Sequence, residues 1–254
     1  MTEQGEFARL AGADSRAALV TVVQGPTLGA KLLVLPDGAA TGTLGDPELD
    51  RLAADAAGDL IWAERSEMRE VDEVKLFVDV TAPAPRLIVF GAVDYSASLC
   101  RLARASGWRP FVCDPRSQFA VPERFPDAEE VIVAWPEEAF ALAGGIDRAT
   151  YIAVLTHDPK LDDAALTIAV RSDAAYVGAM GSRRAQAGRR ERLLAAEVTD
   201  EELARIAAPI GLDLGALTPE ETALSIMAEV VAVRNGRDGG RLGASAGRIH
   251  EVGA

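Results

Sequence analysis

Apolar and polar residues follow two different patterns along the chain, and the change falls near Pro85. Before it, short apolar runs separated by turn residues predict short strands with one or two helices. The predicted strands are residues 18–23, 31–35, 41–44 and 76–80, and the predicted helix is residues 46–60. Pro83 and Pro85 fit neither a central strand nor a helix interior, so we place a linker and a domain boundary there.

From Arg86 onward, apolar strands alternate with helical patterns. Residues 87–90 are continuously apolar, as expected for a strand buried on both faces. The other predicted strands are 109–113, 131–134, 151–155 and 175–177, and the predicted helices are 96–106, 136–142, 162–171, 183–196, 200–207 and 223–233. This order predicts an α/β protein, in which a small mixed α+β domain (1–82) precedes a Rossmann-like parallel-sheet domain (86–234). The Gly- and Arg-rich end, residues 235–254, predicts a flexible tail.

Composition narrows the class of protein. The 254 residues include 26 Lys and Arg against 39 Asp and Glu, for a net charge of −13, which excludes a general nucleic-acid binder. No apolar stretch reaches the roughly 20 residues that span a bilayer, and the first residues lack the order of a signal peptide. We therefore expect a cytoplasmic protein with neither nucleic acid nor membrane as partner. Two cysteines, Cys100 and Cys113, exclude a disulfide scaffold and a Cys-rich metal module.

The turn after the first strand of the second domain contains part of a dinucleotide fingerprint. Gly91 occupies the first glycine position, but Val93 and Ser96 occupy the second and third. A side chain at the second position hinders the close approach of a pyrophosphate to the backbone. Asp114 ends the next strand, where ribose recognition belongs. Gly91 and Asp114 are therefore candidate cofactor residues, in a turn that favours a Rossmann-like fold more than tight NAD(P) binding.

A polar triplet, Thr156-His157-Asp158, follows a predicted strand. The carboxyl ends of strands in open α/β sheets are where ligands bind, so these side chains are candidates to donate, accept and relay protons. In particular, His157 and Asp158 are the candidate catalytic residues. The alternative is that Asp158 or Asp162 caps the next helix and His157 is a surface turn residue. His157 has no paired His or Cys at ligand spacing, so we expect no zinc site.

A glycine loop containing Gly178 and Gly181 leads into a helix that begins at Ser182 and carries Arg183 and Arg184. Free amides at a helix start and guanidinium groups suit an anion. The alternative is a capped helix followed by a solvated basic stretch. We expect this edge of the sheet to form a cradle lined by guanidinium groups for a negatively charged organic ligand.

Two further features are predicted to be structural. The loop 208–215 contains two glycines and an aspartate, which suggests a tight, buried turn. Arg116 lies near Cys113 in sequence and could lower the pKa of its thiol, but a buried apolar role is favoured for both cysteines.

The ordered combination of these segments resembles the XdhC/CoxI family, the xanthine dehydrogenase accessory factors, over about residues 86–232. Its motifs are Thr-His-Asp followed by Asp162, then Tyr-Val-Gly-x-x-Gly-Ser-Arg-Arg, then Pro-Ile-Gly-Leu-Asp-Leu-Gly-x-x-Thr-Pro-Glu-Glu. The chain departs from the family at the Rossmann turn, which usually reads Gly-Ala-Gly-His. It also lacks the two N-terminal cysteine motifs; residues 42–46, Gly-Thr-Leu-Gly-Asp, stand in place of the first.

The resemblance implies a chaperone that binds molybdenum cofactor and assists the maturation of a molybdenum hydroxylase client. By this resemblance, the loop from Gly178 to Arg184 would bind the pterin phosphate, and the protein is expected to form a homodimer. The full set of candidate cofactor-binding residues is Gly91, Asp114, Thr156, Gly178, Gly181, Ser182, Arg183 and Arg184. An accessory role is favoured over an enzymatic one. The alternatives are an NAD(P)-dependent oxidoreductase and a non-catalytic docking or regulatory paralogue.

Overall fold

The computed structural model describes residues 2–244, apart from the side chain of Arg183. These residues divide into two compact units, residues 2–83 with 242–244, and residues 84–241. Residues 245–254 of the predicted flexible tail lie outside the described residues. Within residues 2–244, no helix has the length and apolar character needed to cross a membrane.

The first unit is an antiparallel sheet with one helix on each face. In chain order it contains α1 (Glu3–Gly12), β1 (Ala17–Gln24), β2 (Lys31–Val34), β3 (Ala40–Thr43), α2 (Pro47–Ala63), β4 (Glu67–Val71) and β5 (Val74–Thr81). The strand order is β3-β2-β1-β5-β4. Alternate residues such as Val20 and Val78 pack with Ala57 of α2, whereas Leu19 and Leu33 form a smaller cluster on the side of α1.

The two edges of this sheet differ from its interior. All four residues of β3, Ala-Thr-Gly-Thr, are exposed. At the other edge, β4 carries Glu67, whose buried carboxylate forms ion pairs with Arg65 and Arg69. Neither edge strand therefore presents a row of apolar side chains.

The second unit is a six-stranded parallel sheet with helices on both faces. It contains β6 (Arg86–Phe90), α3 (Asp94–Ala105), β7 (Arg109–Cys113), β8 (Glu130–Ile132), α4 (Pro136–Leu142), β9 (Thr150–Val154), α5 (Pro159–Val170), β10 (Tyr176–Ala179), α6 (Arg183–Ala195), α7 (Asp200–Ala204), β11 (Ile206–Ala207) and α8 (Pro219–Arg234). The strand order is β11-β10-β9-β6-β7-β8, and every pair is parallel. The predicted α/β class with a Rossmann-like domain is confirmed.

Successive residues of β6 point to opposite sides, so both faces of the sheet are buried. Leu87 and Val89 pack with α3 and α8, whereas Ile88 and Phe90 pack with α4 and α5. The helix N-caps are those that the sequence predicts. At the start of α8, the Thr218 hydroxyl accepts from the Glu221 amide at 3.1 Å.

The predictions misplaced one element and missed two others. The helix predicted over residues 200–207 ends at Ala204, because Ile206 and Ala207 pair with β10 as a short strand. The strand β4 was not predicted, since its alternation is largely charged. The helix α1 was not predicted either, because its apolar contacts with the core come from two side chains, Phe7 and Leu10.

Candidate functional site

The loops after β6 and β9 meet at the carboxyl edge of the sheet. The chain runs from β6 outward to β7 and β8 and later returns on the other side of β6 as β9, and such a switch point is where open α/β sheets bind ligands. Gly91 has φ +114°, and a Cβ at this position would lie 3.0 Å from the backbone nitrogen of Thr156. Only glycine therefore fits this turn, and its role is contact between the two loops.

Asp114, the candidate ribose ligand, is fully buried and used inside the protein. One oxygen accepts from the backbone amide and Nε of Arg116 at 3.0 and 2.8 Å, and the other accepts from the Ala92 amide and the Arg116 guanidinium at 2.9 and 2.7 Å. Four donors fill the acceptor positions of a carboxylate. Burial opposes the charge, but these hydrogen bonds prevail and lower the pKa of Asp114. No acceptor position is left for ribose hydroxyls.

The start of α3 also departs from a dinucleotide site. Val93 occupies the N-cap position without a side-chain hydrogen bond, and its side chain packs against the core. The neighbouring Asp94 pairs with Arg124 at 3.2 Å. Arg124 further donates to the carbonyls of Ala92 and Phe119. This arginine therefore closes the β6–α3 turn with intramolecular contacts.

The Thr156-His157-Asp158 triplet serves chiefly to start α5. Thr156 is buried; its hydroxyl accepts from the Asp158 amide at 2.8 Å and donates to Asp162 at 3.0 Å. Asp158 caps α5 by accepting from the Lys160 amide. This contact agrees with the alternative interpretation of the sequence, in which Asp158 caps the next helix. The side chain of His157 is exposed. The hydroxyl of Thr156 thus faces Asp162, and the Asp158 carboxylate is engaged in the cap of α5.

A buried arginine that sequence analysis missed completes this cluster. The Arg189 guanidinium donates to Asp162 and to the Met180 carbonyl, both at 2.9 Å, and the two side chains are only 7% and 4% exposed. Among the described residues, no partner is found for the buried Nε of Arg189. The signal was the spacing of α6: Arg189 precedes the buried Leu193 by four residues and therefore shares its face.

The glycines of the loop before α6 lie close to neighbouring side chains. A Cβ on Gly178 would lie 2.5 Å from Ile210 and 2.6 Å from the hydroxyl of Tyr176, and one on Gly181 would lie 3.2 Å from Gln186. Ser182 caps α6 as predicted, by accepting from the Ala185 amide. Arg184 is exposed, and the side chain of Arg183 lies outside the described part of the chain.

Carboxylates neutralise most of the arginines around this edge. The pairs are Arg116–Asp114, Arg124–Asp94, Arg189–Asp162 and Arg192–Asp163. These four guanidinium groups are therefore not free, and the expected cradle would depend on Arg183 and Arg184. What the loop offers an anion is the start of α6, with its backbone amides and the exposed Arg184.

The loop 208–215 is anchored but only partly buried, which corrects the predicted buried turn. The Gly211 amide donates to Glu229 at 2.8 Å, and the Ile210 amide donates to the Ala179 carbonyl at 3.1 Å. Asp213, Leu214 and Gly215 are exposed. The loop thus lies along the carboxyl edge beside β10.

Both cysteines are buried in the second unit. Burial raises the pKa of the Cys100 thiol to about 12 and raises that of Cys113 further. The suggestion that Arg116 lowers the pKa of Cys113 is wrong, because Arg116 is bound to Asp114. Within residues 2–244, no three His, Cys, Asp or Glu side chains are placed to hold a metal ion.

The first unit has a cavity of about 220 Å³ where the resemblance places the first cysteine motif. Leu44 and Gly45 line it together with the acidic residues Asp46, Glu48 and Asp72. Neither a thiol nor a cation is among its lining residues. This cavity is therefore unsuited to an anionic ligand.

These features define a class: a two-unit α/β protein whose Rossmann-like domain has an incomplete dinucleotide site. Comparison with known protein families identifies this class more closely. Residues 87–230 match the XdhC Rossmann domain, and residues 10–72 match the XdhC and CoxI family. The chain belongs to the XdhC and CoxI family.

Three curated relatives are similar over much of this chain. The uncharacterized protein YqeB of Escherichia coli K12 is 26% identical over 85% of the chain and 42% of its own length. A probable xanthine dehydrogenase subunit of Bacillus subtilis 168 is 31% identical, over 63% of the chain and 46% of its own length. The molybdenum cofactor insertion chaperone PaoD of E. coli K12 is 28% identical, over 60% of the chain and 41% of its own length. The chain thus spans less than half the length of each.

A solved structure shares the fold. A crystal structure described as a xanthine dehydrogenase from Bacillus halodurans superposes with a TM-score of 0.65 at 24% identity, over 91% of this chain and 66% of the other. At this identity, the similarity concerns the fold alone.

Proposed function

We propose that this chain is an accessory protein for the maturation of a xanthine-dehydrogenase-type molybdenum hydroxylase, and that it helps deliver molybdenum cofactor to that client. Family membership supports the maturation role, together with the names of two relatives, a molybdenum cofactor insertion chaperone and a probable xanthine dehydrogenase subunit. The observation that carries the cofactor proposal is the exposed Arg184 in the first turn of α6, beside a sheet edge where ligands of α/β proteins bind.

The residues present fit one part of this cofactor. Its pterin phosphate is an anion, and the backbone amides at the start of α6, with Arg184, would hold it. When bound, the cofactor would supply the molybdenum and dithiolene chemistry that the client uses. In contrast, both thiols are buried and disfavour ionisation, so the chain has no cysteine to hold the metal or to carry sulfur. Its role would therefore be non-covalent binding.

Cofactor retention tests this proposal. The protein is purified from a host that makes molybdenum cofactor, and bound pterin is measured by the fluorescence of its oxidised form. We expect wild type to retain pterin and Arg184→Ala to retain it with about tenfold lower affinity, the loss expected for one charge-assisted hydrogen bond. Arg190→Ala is the matched control, since Arg190 lies on the same helix and is paired with Asp200.

Two outcomes would count against the cofactor proposal. The first is wild-type protein that carries no pterin above the level of an unrelated Rossmann-fold protein. The second is equal retention by Arg184→Ala and wild type, which would move the site away from α6. Co-purification of a hydroxylase without pterin would favour the docking role instead.

The oxidoreductase alternative has less support from the geometry. Asp114 has no acceptor left for a ribose, and Val93 stands where a pyrophosphate needs glycine. Calorimetric titration with NAD or NADP at millimolar concentration should show no saturable binding, and saturable binding would restore this alternative.

A further inference from the structure

Three segments of the first unit surround its cavity of about 220 Å³. They are the β1–β2 turn, the loop from β3 into α2, and the β4–β5 turn, which contribute Thr27, Gly45 and Asp72. The Thr27 hydroxyl donates to the Leu44 carbonyl at 2.5 Å, and Gln24 at the end of β1 pairs with Lys75 of β5. The segments around the cavity are therefore held together by a hydrogen bond and by strand pairing.

Apolar side chains form most of the described lining of this cavity. They belong to Pro26, Leu44, Leu49, Leu52, Val71 and Val74. Each methylene group that a ligand buries against such side chains strengthens binding by up to about fourfold. The cavity is smaller than the roughly 300–1,000 Å³ of pockets that hold drug-sized ligands. It therefore suits a chain of a few carbon atoms and not a fused-ring cofactor.

The charged residues among the described lining are all acidic and exposed: Asp46, Glu48 and Asp72. Within residues 2–244, Glu48 pairs with Arg51, whereas neither Asp46 nor Asp72 forms an ion pair. One oxygen of Asp46 accepts from the amides of Glu48 and Leu49, both at 2.9 Å. This cap offsets the positive end of α2, which would otherwise disfavour a cation. Two carboxylates are thus left to attract a positive charge.

We propose that this cavity binds a small organic cation, an alkylammonium group on a chain of about four carbon atoms. The chain would lie against the leucine and valine side chains, and the ammonium group would face Asp46 and Asp72. The apolar volume and the negative charge together select this ligand, because an uncharged chain lacks the attraction and a bare inorganic cation lacks the apolar contact. This inference is independent of the proposed function, whose site is at the start of α6.

The first experiment is a titration of the ¹⁵N-labelled full chain with butylamine, which is protonated at neutral pH, followed by NMR. We expect saturable shifts of the amide signals of Gly45 and Val74 and none of Gly178 in the second unit. Methylamine should bind about tenfold more weakly or worse, because it lacks three methylene groups. Butanol should be weaker by a similar factor, and butyrate should give no saturable shift.

The second experiment removes each carboxylate in turn. Asp46→Asn and Asp72→Asn should each weaken the binding of butylammonium about tenfold, as expected for one charge-assisted contact. Both variants should fold, because asparagine also caps helices and also adopts the positive φ of Asp72, +54°. Asp37→Asn, at an exposed aspartate in the β2–β3 turn, is the matched control and should bind as wild type does.

An alkylammonium group could come from a free amine or from a lysine side chain of another protein. Lysine blocked at its α-amino and carboxyl groups distinguishes these sources. Binding as tight as that of butylammonium would support a lysine side chain as the source. Weaker binding would support a free amine, because the attached backbone then obstructs entry.

Three results would overturn the proposal: no saturable shift with butylamine at high millimolar concentration, equally tight binding of butanol, or unchanged affinity in both asparagine variants. Arg248, outside the described residues, is a cation of this chain itself. If Arg248→Ala binds butylammonium much more tightly than wild type, the arginine competes for the cavity and the proposal of an external ligand is wrong. Equal affinity would support an external ligand.

Discussion

Two buried aspartates at the carboxyl edge of the parallel sheet have pKa values shifted in opposite directions. At Asp162, burial raises the pKa, and the hydrogen bonds from Arg189 and Thr156 do not fully offset it. At Asp114, burial acts in the same direction but is outweighed by donors on Arg116 and Ala92. Hydrogen bonds outweigh burial at Asp114 but not at Asp162, where the neighbouring Asp163 also raises the pKa.

Asp114 should contribute stability that acid removes. Because its folded pKa lies below its ordinary value of 3.8, this contribution is present above pH 3.8 and is lost as the pH falls toward the folded pKa. We expect Asp114→Asn to be less stable than wild type at neutral pH, with a gap that narrows below pH 3.8. Urea denaturation across this pH range measures the stability difference between the variant and wild type and its change with pH. The control is Asp173→Asn, at an exposed aspartate. A gap that does not change with pH would contradict the assignment.

The Asp162–Arg189 pair offers a comparison with a more exposed pair between the same two helices, Asp163–Arg192. Asp162→Ala leaves a buried cation and should destabilise the protein by about 3–5 kcal/mol. Asp163→Ala breaks the pair with Arg192, whose side chain is 42% exposed, and should cost about 0–1 kcal/mol. Chemical denaturation of both variants measures the difference. Similar losses would mean that Arg189 finds another partner or reaches solvent.

At the scale of elements, much of the fold followed from the sequence. Apolar runs and caps placed the strands β6, β7 and β9 and the helices α4 and α8 within about a turn of their observed bounds. The two missed strands have a common cause: β4 and β11 are stabilised by pairing with a neighbouring strand, which their own residues do not signal.

The candidate site was less predictable than the fold. Gly91, Thr156 and Ser182 were placed at the correct edge, because strand ends can be counted from the sequence. Among the five arginines between residues 183 and 192, the spacing to Leu193 singles out Arg189, but the sequence does not show which carboxylate Arg189 binds. That choice depends on how α6 packs against α5, a contact between distant segments.

Gly178 tests whether the loop before α6 is built for packing or for a ligand. A methyl group there would contact Ile210 and Tyr176 at less than normal distances, so Gly178→Ala should destabilise the protein by about 1–3 kcal/mol. Ile210→Ala should recover part of this loss in the double variant, measured by thermal denaturation. Gly188→Ala, within α6, should instead be neutral or stabilising. Full stability of Gly178→Ala would leave ligand approach as the reason for glycine.

For the whole molecule, the state of the thiols limits what chemistry the chain can perform. Cys100 and Cys113 are both buried with raised pKa values. A thiol-specific reagent should therefore label neither at an appreciable rate in native buffer and should label both in denaturant. Rapid native labelling of either cysteine would show an accessible thiolate and reopen a sulfur-carrying role. Labelling of a small thiol compound provides the reference rate.

An open five-stranded sheet has two free margins at which another chain could add a strand and continue the ladder. In the first unit, one margin is a short polar strand with a glycine, and the other carries paired charges. Both arrangements disfavour strand addition. Growth of the sheet into filaments by the addition of strands from other copies is thus discouraged.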